Sequence, residues 1–94
     1  MKKTIEVLEI KNDSNLGLIV GCHTHEWDGM DESEISNWFE DHRTIAFADG
    51  TVMEFSRIIP FASACFGGGK GQAILRLSES SVASVRTPAI AYLQ

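Results

Sequence analysis

The apolar and polar positions near the N-terminus predict two strands. The stretches TIEVLEI (4–10) and LGLIVGC (16–22) are rich in β-branched and aliphatic residues, which favour strands. The intervening residues KNDSN are turn formers. The pattern therefore predicts a β-hairpin at the start of the chain.

A helix is predicted next, beginning after Asp31. Asp31 is a suitable N-cap, and Glu34 completes a capping box three residues later. Met30 and Ile35 occupy the two positions of a hydrophobic staple. These signals together place the N-terminus of a helix at this point.

The same helix is expected to run to about residue 42. Its core-facing positions recur at helical spacing and are Ile35, Trp38, Phe39 and His42. His42 would then end the helix, where an imidazolium ion interacts favourably with the helix dipole.

The segment TIAFADGTVMEF predicts a second hairpin, and the faces of its strands indicate the register. A two-residue turn at Asp49 and Gly50 would pair Ile45 with Glu54 and mix apolar and polar residues. A three-residue loop that starts at Ala48, with Gly50 in the left-handed conformation, gives one apolar face instead. That face contains Ile45, Phe47, Met53 and Phe55.

The remaining elements complete a single α+β domain over residues 1–94. Pro60 ends a strand because it has no N–H to donate, QAILRL is another strand, and residues 82–92 form one or two more. We expect a mostly antiparallel sheet of five to six strands, with the helix (about 31–42) packed on one face. A single helix leaves part of that sheet uncovered, which favours a homo-oligomer.

The distribution of charge indicates the kind of partner. The net charge is −5, and residues 12–42 contain eight acids and no lysine or arginine. Such a field argues against direct contact with nucleic acid or membrane and favours a protein partner with a basic surface. The alternative is a solvated acidic face. The predicted partner-binding residues, all between 26 and 41, are Trp27, Asp28, Asp31, Glu32, Glu34, Glu40 and Asp41.

The stretch GCHTHEWDGMD is a candidate metal site. His23 and His25 are two positions apart after a strand, so that they project to the same side, and Asp28 is a third candidate ligand. A closed zinc site usually has two ligand pairs at fixed spacing, and this chain lacks them. Metal binding is therefore the third hypothesis.

A glycine-rich loop is the candidate for a small anionic ligand. Successive glycine amides can point at an anion, and a lysine adds charge, but the glycine spacing of a Walker loop is absent. Arg57, Arg76 and Arg86 are expected to assist from neighbouring strands. The main residues of this hypothesis are Gly67, Gly68, Gly69, Lys70, Gly71 and Arg76.

Export and catalysis are not expected. Glu6 and Glu9 interrupt what would have to be the apolar part of a signal peptide, so we predict a cytoplasmic protein with Cys22 and Cys65 as free thiols. Cys22 and His23 are adjacent and would point to opposite faces of a strand. We predict no enzyme and no cofactor.

The function that these features favour is stoichiometric binding of another protein. A short, acidic domain without a catalytic set is typical of inhibitors and immunity-type regulators, such as a phage-encoded inhibitor of a host defence enzyme. The alternatives are a homo-oligomer that sequesters a nucleotide-like ligand through Gly67–Gly71, and a metal-binding protein that uses His23, His25 and Asp28.

Overall fold

The computed structural model describes residues 3–61, 72–78 and 85–94. A short 3-10 helix, His25–Trp27, precedes the α-helix of these ranges. The elements in chain order are β1 (Thr4–Asp13), β2 (Gly17–His23), α1 (Glu32–Trp38), β3 (Thr44–Phe47), β4 (Val52–Pro60), β5 (Gln72–Leu77) and β6 (Ala89–Leu93).

The six strands close into a barrel in the order β1-β2-β5-β4-β3-β6. All neighbouring strands are antiparallel. Strands β3, β4 and β5 lie side by side, and β6 returns to lie beside β3, which is a Greek-key arrangement. Side chains fill the interior, as expected for a small barrel, and they include Val7, Val20, Cys22, Ile45, Met53, Phe55, Leu75 and Leu93.

The sequence pattern predicts a mostly antiparallel sheet but not its closure into a barrel. A mostly antiparallel sheet in a small domain is confirmed. The sheet has no free edge among the described strands, because β6 pairs with β1 on one side and with β3 on the other. Register shifts between Val7 and Glu9 and between Phe55 and Arg57 mark β-bulges, which bend strands and allow closure. The inner face is therefore covered by the barrel itself, and the argument for self-association through an open face no longer applies.

The helix starts where the sequence predicts and ends earlier. Asp31 and Glu34 form the predicted capping box. The helix stops at Trp38 because Glu40 adopts a left-handed conformation, with a φ of 53°. His42 consequently lies beyond the helix, in a turn where its amide donates to the carbonyl of Phe39. The predicted role of His42 at the helix end is wrong.

The predicted register of the second hairpin is confirmed. Ile45 pairs with Met53, and the amide of Phe47 donates to the carbonyl of Thr51 across the three-residue loop. The face predicted to be apolar is buried at all four positions, which are Ile45, Phe47, Met53 and Phe55.

We expect Gly50→Ala to destabilise the barrel by about 1–2 kcal/mol. Gly50 has a φ of +94°, and an added Cβ would meet no atom within 4 Å, so the cost comes from the backbone conformation alone. Urea denaturation gives the free energy of unfolding. Ala48→Gly in the same loop is the control, and equal unfolding free energies for wild type and Gly50→Ala would contradict this explanation.

Within the described ranges, no helix combines the length and the apolar character that a membrane span requires. Of the one or two strands predicted over residues 82–92, the described part contains β6 (Ala89–Leu93), and residues 79–84 lie outside the described ranges.

Candidate functional site

Three buried aromatic side chains fix the acidic segment, residues 26–41, to the barrel. Trp27 and Phe39 have no exposed surface, and Trp38 is 7% exposed. The ring centroid of Trp27 lies 5.4 Å from that of Trp38 and 5.6 Å from that of Phe39. Phe39 in turn lies 5.6 Å from Phe55 of β4. Such edge-on and tilted contacts stabilise aromatic clusters beyond simple burial.

The burial of Trp27 corrects the expectation that its ring lies at the surface. Thr24 caps the 3-10 helix, its hydroxyl accepting from the amide of Glu26, and Trp27 ends that helix with its ring in the core. The indole N–H has no hydrogen-bond partner among the described residues. Trp27 therefore offers no surface to a partner, and its position is that of an internal anchor.

The N-terminus of α1 uses two of the predicted partner-binding acids. The amide of Glu34 donates to Asp31 Oδ1 over 2.8 Å, and the amide of Asp31 donates to Glu34 Oε1 over 3.1 Å. Both side chains remain exposed. These carboxylates stabilise the helix end and still contribute their charge to the surface.

Lys3 holds the other end of α1. Its ammonium group donates to the carbonyl of Trp38 and to the carboxylate of Glu40, the latter over 2.7 Å. This hydrogen bond and charge lower the pKa of Glu40. The ammonium also lies 5.0 Å from the ring centroid of Trp38. Lys3 is 35 residues from Trp38, so no local sequence signal indicates this contact.

Most of the negative charge on the acidic segment is not neutralised. Among the described residues, Lys3 is the one lysine or arginine that forms an ion pair with the segment. His25 Nδ1 lies 3.7 Å from Asp28 Oδ2 at the surface. The Nη1 atom of Arg43 donates to the carbonyls of Glu40 and His42. All seven acids of the segment are exposed, namely Glu26, Asp28, Asp31, Glu32, Glu34, Glu40 and Asp41.

A shallow groove of about 260 Å³ contains the two histidines of the metal hypothesis. The rings of His23 and His25 meet edge to face with centroids 5.1 Å apart. Glu6 is opposite His23 in the register and also lines the groove. The part of the chain that the structure describes contains no group of three histidine, cysteine, aspartate or glutamate side chains suited to a metal. The three predicted ligands, His23, His25 and Asp28, are not gathered into such a group.

The glycine loop of the ligand hypothesis, Gly67 to Gly71 with Lys70, lies outside the described residues. Arg76, its predicted helper, is exposed on β5 and pairs in register with Arg57 of β4. Arg86 precedes β6, at a different place on the barrel.

Cys22 is not placed to act as a nucleophile. Its side chain is fully buried in the barrel, and its thiol donates to the carbonyl of Ala73. Burial raises its pKa far above the usual range, so the reactive thiolate is not formed near neutral pH. Cys65 lies outside the described residues.

We expect Cys22 to resist alkylation in the folded protein. In a Cys65→Ser background, Cys22 is the single thiol of the chain. Iodoacetamide should label it at the rate of global or local opening, slower by orders of magnitude than in urea. Mass spectrometry follows the labelling, and native labelling as fast as in urea would contradict the burial.

Comparison with known proteins returned no match to a family, to a curated protein or to a solved structure.

Proposed function

We propose that the chain is a non-enzymatic binding domain whose acidic segment contacts a basic surface of another protein. The observation that carries this proposal is the exposure of all seven carboxylates of residues 26–41, with a single lysine paired to them among the described residues. A predominantly acidic surface of this kind accelerates encounter with a surface of opposite charge.

The order of the segment supports recognition over mere solvation. A charge run that only keeps a protein in solution needs no fixed shape. Here three aromatic side chains pack the segment against the barrel, and a capping box and Lys3 hold the two ends of α1. The backbone that carries the carboxylates is thereby held in one conformation, which lowers the entropy cost of binding.

An apolar contact point lies within the acidic segment. Charged groups at the edge of an interface mainly set the association rate and the choice of partner, whereas buried apolar groups slow dissociation. With Trp27 buried, Met30 is the half-buried apolar side chain of the segment, between Asp28 and Asp31. We expect Met30 to be covered in the complex.

The partner class that best suits this surface is a protein that binds nucleic acid. Such proteins present clusters of lysine and arginine that contact phosphates, and an acidic surface of fixed shape competes for them. A stoichiometric inhibitor or immunity-type regulator would act in this way, and a phage-encoded inhibitor of a host defence enzyme is an example of the class.

Capture from a lysate of the natural source tests the proposal. The segment variant carries Asp28→Asn, Glu32→Gln and Asp41→Asn, at exposed positions. The control variant carries Glu6→Gln, Glu9→Gln and Glu54→Gln, so that both lose three negative charges. We expect wild type and control to retain the same basic protein and the segment variant to lose it. Retention by all three would contradict the proposal.

A further inference from the structure

Two arginines face each other on the outside of the barrel. Arg57 of β4 pairs in register with Arg76 of β5, and both are exposed. Directly opposed residues of antiparallel strands have Cβ atoms about 5 Å apart, and like charges at that position destabilise the sheet. An anion between the two guanidinium groups would remove this repulsion.

A β-bulge turns Arg57 to the outside. Met53 and Phe55 of the same strand are buried, and strict alternation would place Arg57 on that inner face. The register shift between Phe55 and Arg57 inserts Ser56 as an extra residue. Bulges often re-aim a side chain beside a functional site, and here the bulge brings the second arginine opposite the first.

Neither guanidinium has a partner among the residues that the structure describes. No ion pair and no hydrogen bond reaches Arg57 or Arg76 within those ranges. Beyond Arg76, the register continues to Ile19 of β2, which is buried, and then to Lys11 of β1. The candidate site therefore consists of the two arginines alone.

The surface beside Arg76 is suited to a small anion. Arg76 lines a groove of about 360 Å³. Among the described residues, the other polar side chains of this groove are those of Asn12 and Ser78, and none is acidic. The groove of about 510 Å³ beside Arg57 includes Glu40 and Asp41. The anion is therefore expected between the two guanidinium groups, toward the groove beside Arg76 and away from Glu40 and Asp41.

We propose that Arg57 and Arg76 bind the phosphate group of a small ligand. Guanidinium groups bind phosphate through paired N–H donors, and two of them match its charge. The net charge of −5 disfavours a long polyanion such as nucleic acid. This site lies on β4 and β5, apart from the acidic segment in sequence, and it stands or falls independently of the proposed protein partner.

Thermal unfolding of the full chain in sodium phosphate and in sodium chloride of equal ionic strength tests the site. Phosphate at ten times its Kd should raise the Tm of wild type by roughly 6 °C or more. Arg57→Gln and Arg76→Gln should each abolish most of this increase. In chloride at low ionic strength, both variants should melt at or above the wild-type temperature, because the repulsion is relieved.

Arg86→Gln is the matched control, since it removes one exposed arginine away from the pair, and it should keep the full response to phosphate. An equal Tm of wild type in the two salts would overturn the proposal. Loss of the response in Arg86→Gln to the same extent would also overturn it. Tighter binding of a single-stranded oligonucleotide than of pyrophosphate, measured by titration, would overturn the assignment to a small ligand.

Discussion

Trp27→Ala should lower the free energy of unfolding by about 3–5 kcal/mol, the usual cost of removing a buried tryptophan. The ring has no exposed surface and packs against Trp38 and Phe39. A domain of this size has a total stability of only about 5–15 kcal/mol. The variant is therefore expected to be near the limit of folding at 37 °C, and urea denaturation at lower temperature gives the value.

Trp27→Phe distinguishes burial from hydrogen bonding. Phenylalanine keeps an aromatic ring in the cluster and removes an indole N–H that has no hydrogen-bond partner in the described part of the chain. We therefore expect a cost well below that of alanine, since no hydrogen bond is lost. A change of less than 1 kcal/mol for Trp27→Ala would show that the ring is at the surface, and would return Trp27 to the set of partner contacts.

The segment variant should associate with the captured partner about ten- to a hundredfold more slowly than wild type at low salt. Asp28, Glu32 and Asp41 are exposed and form no ion pair with lysine or arginine among the described residues. Their charge thus acts on the approaching partner. Surface plasmon resonance separates the association and dissociation rate constants, and the effect should fall mainly on association.

Salt provides the internal check on this prediction. At physiological ionic strength the Debye length is about 8 Å, so the difference between wild type and the segment variant should shrink as salt is added. The control variant, with changes at Glu6, Glu9 and Glu54, should show a smaller loss at every salt concentration. Equal slowing in the two variants would mean that net charge, and not the position of the acids, determines the association rate.

Local features of the fold were predictable from the sequence because they depend on neighbouring residues. The capping box of Asp31 and Glu34 and the three-residue loop that ends at Gly50 both follow from side chains close in the chain. In each case the chemistry of a turn or cap agrees with the apolar pattern around it.

Features that depend on distant contacts were not predictable. The helix ends at Trp38 because Glu40 takes a left-handed conformation, and Lys3 holds that end from 35 positions away. The barrel closes through bulges at Leu8 and Ser56, which the alternation of residues does not show. The bulge at Ser56 also places Arg57 on the outer face, although strict alternation from Met53 and Phe55 would turn it inward.

The exposed acids of the candidate site were predicted from the sequence, but the burial of Trp27 was not. The acids of the segment are exposed, as a charged helix face suggests. The assignment of Trp27 failed because its burial is determined by a 3-10 helix outside the period of α1, so no apolar spacing marks it. Glu6 and Lys3 were not assigned to a site from the sequence. Glu6 lies opposite His23 on the neighbouring strand, and Lys3 reaches Glu40 from the N-terminus of the chain, so both contacts are distant in sequence.

The measurement that tests the central claim most directly is a two-dimensional NMR titration of labelled protein with the captured partner. The account predicts that the largest shift changes fall on the amides of residues 26–41, including Met30, and that they disappear in the segment variant. Shift changes centred on Arg57 and Arg76, with the acidic segment unaffected, would contradict the account. They would place the protein interface at the arginine pair instead.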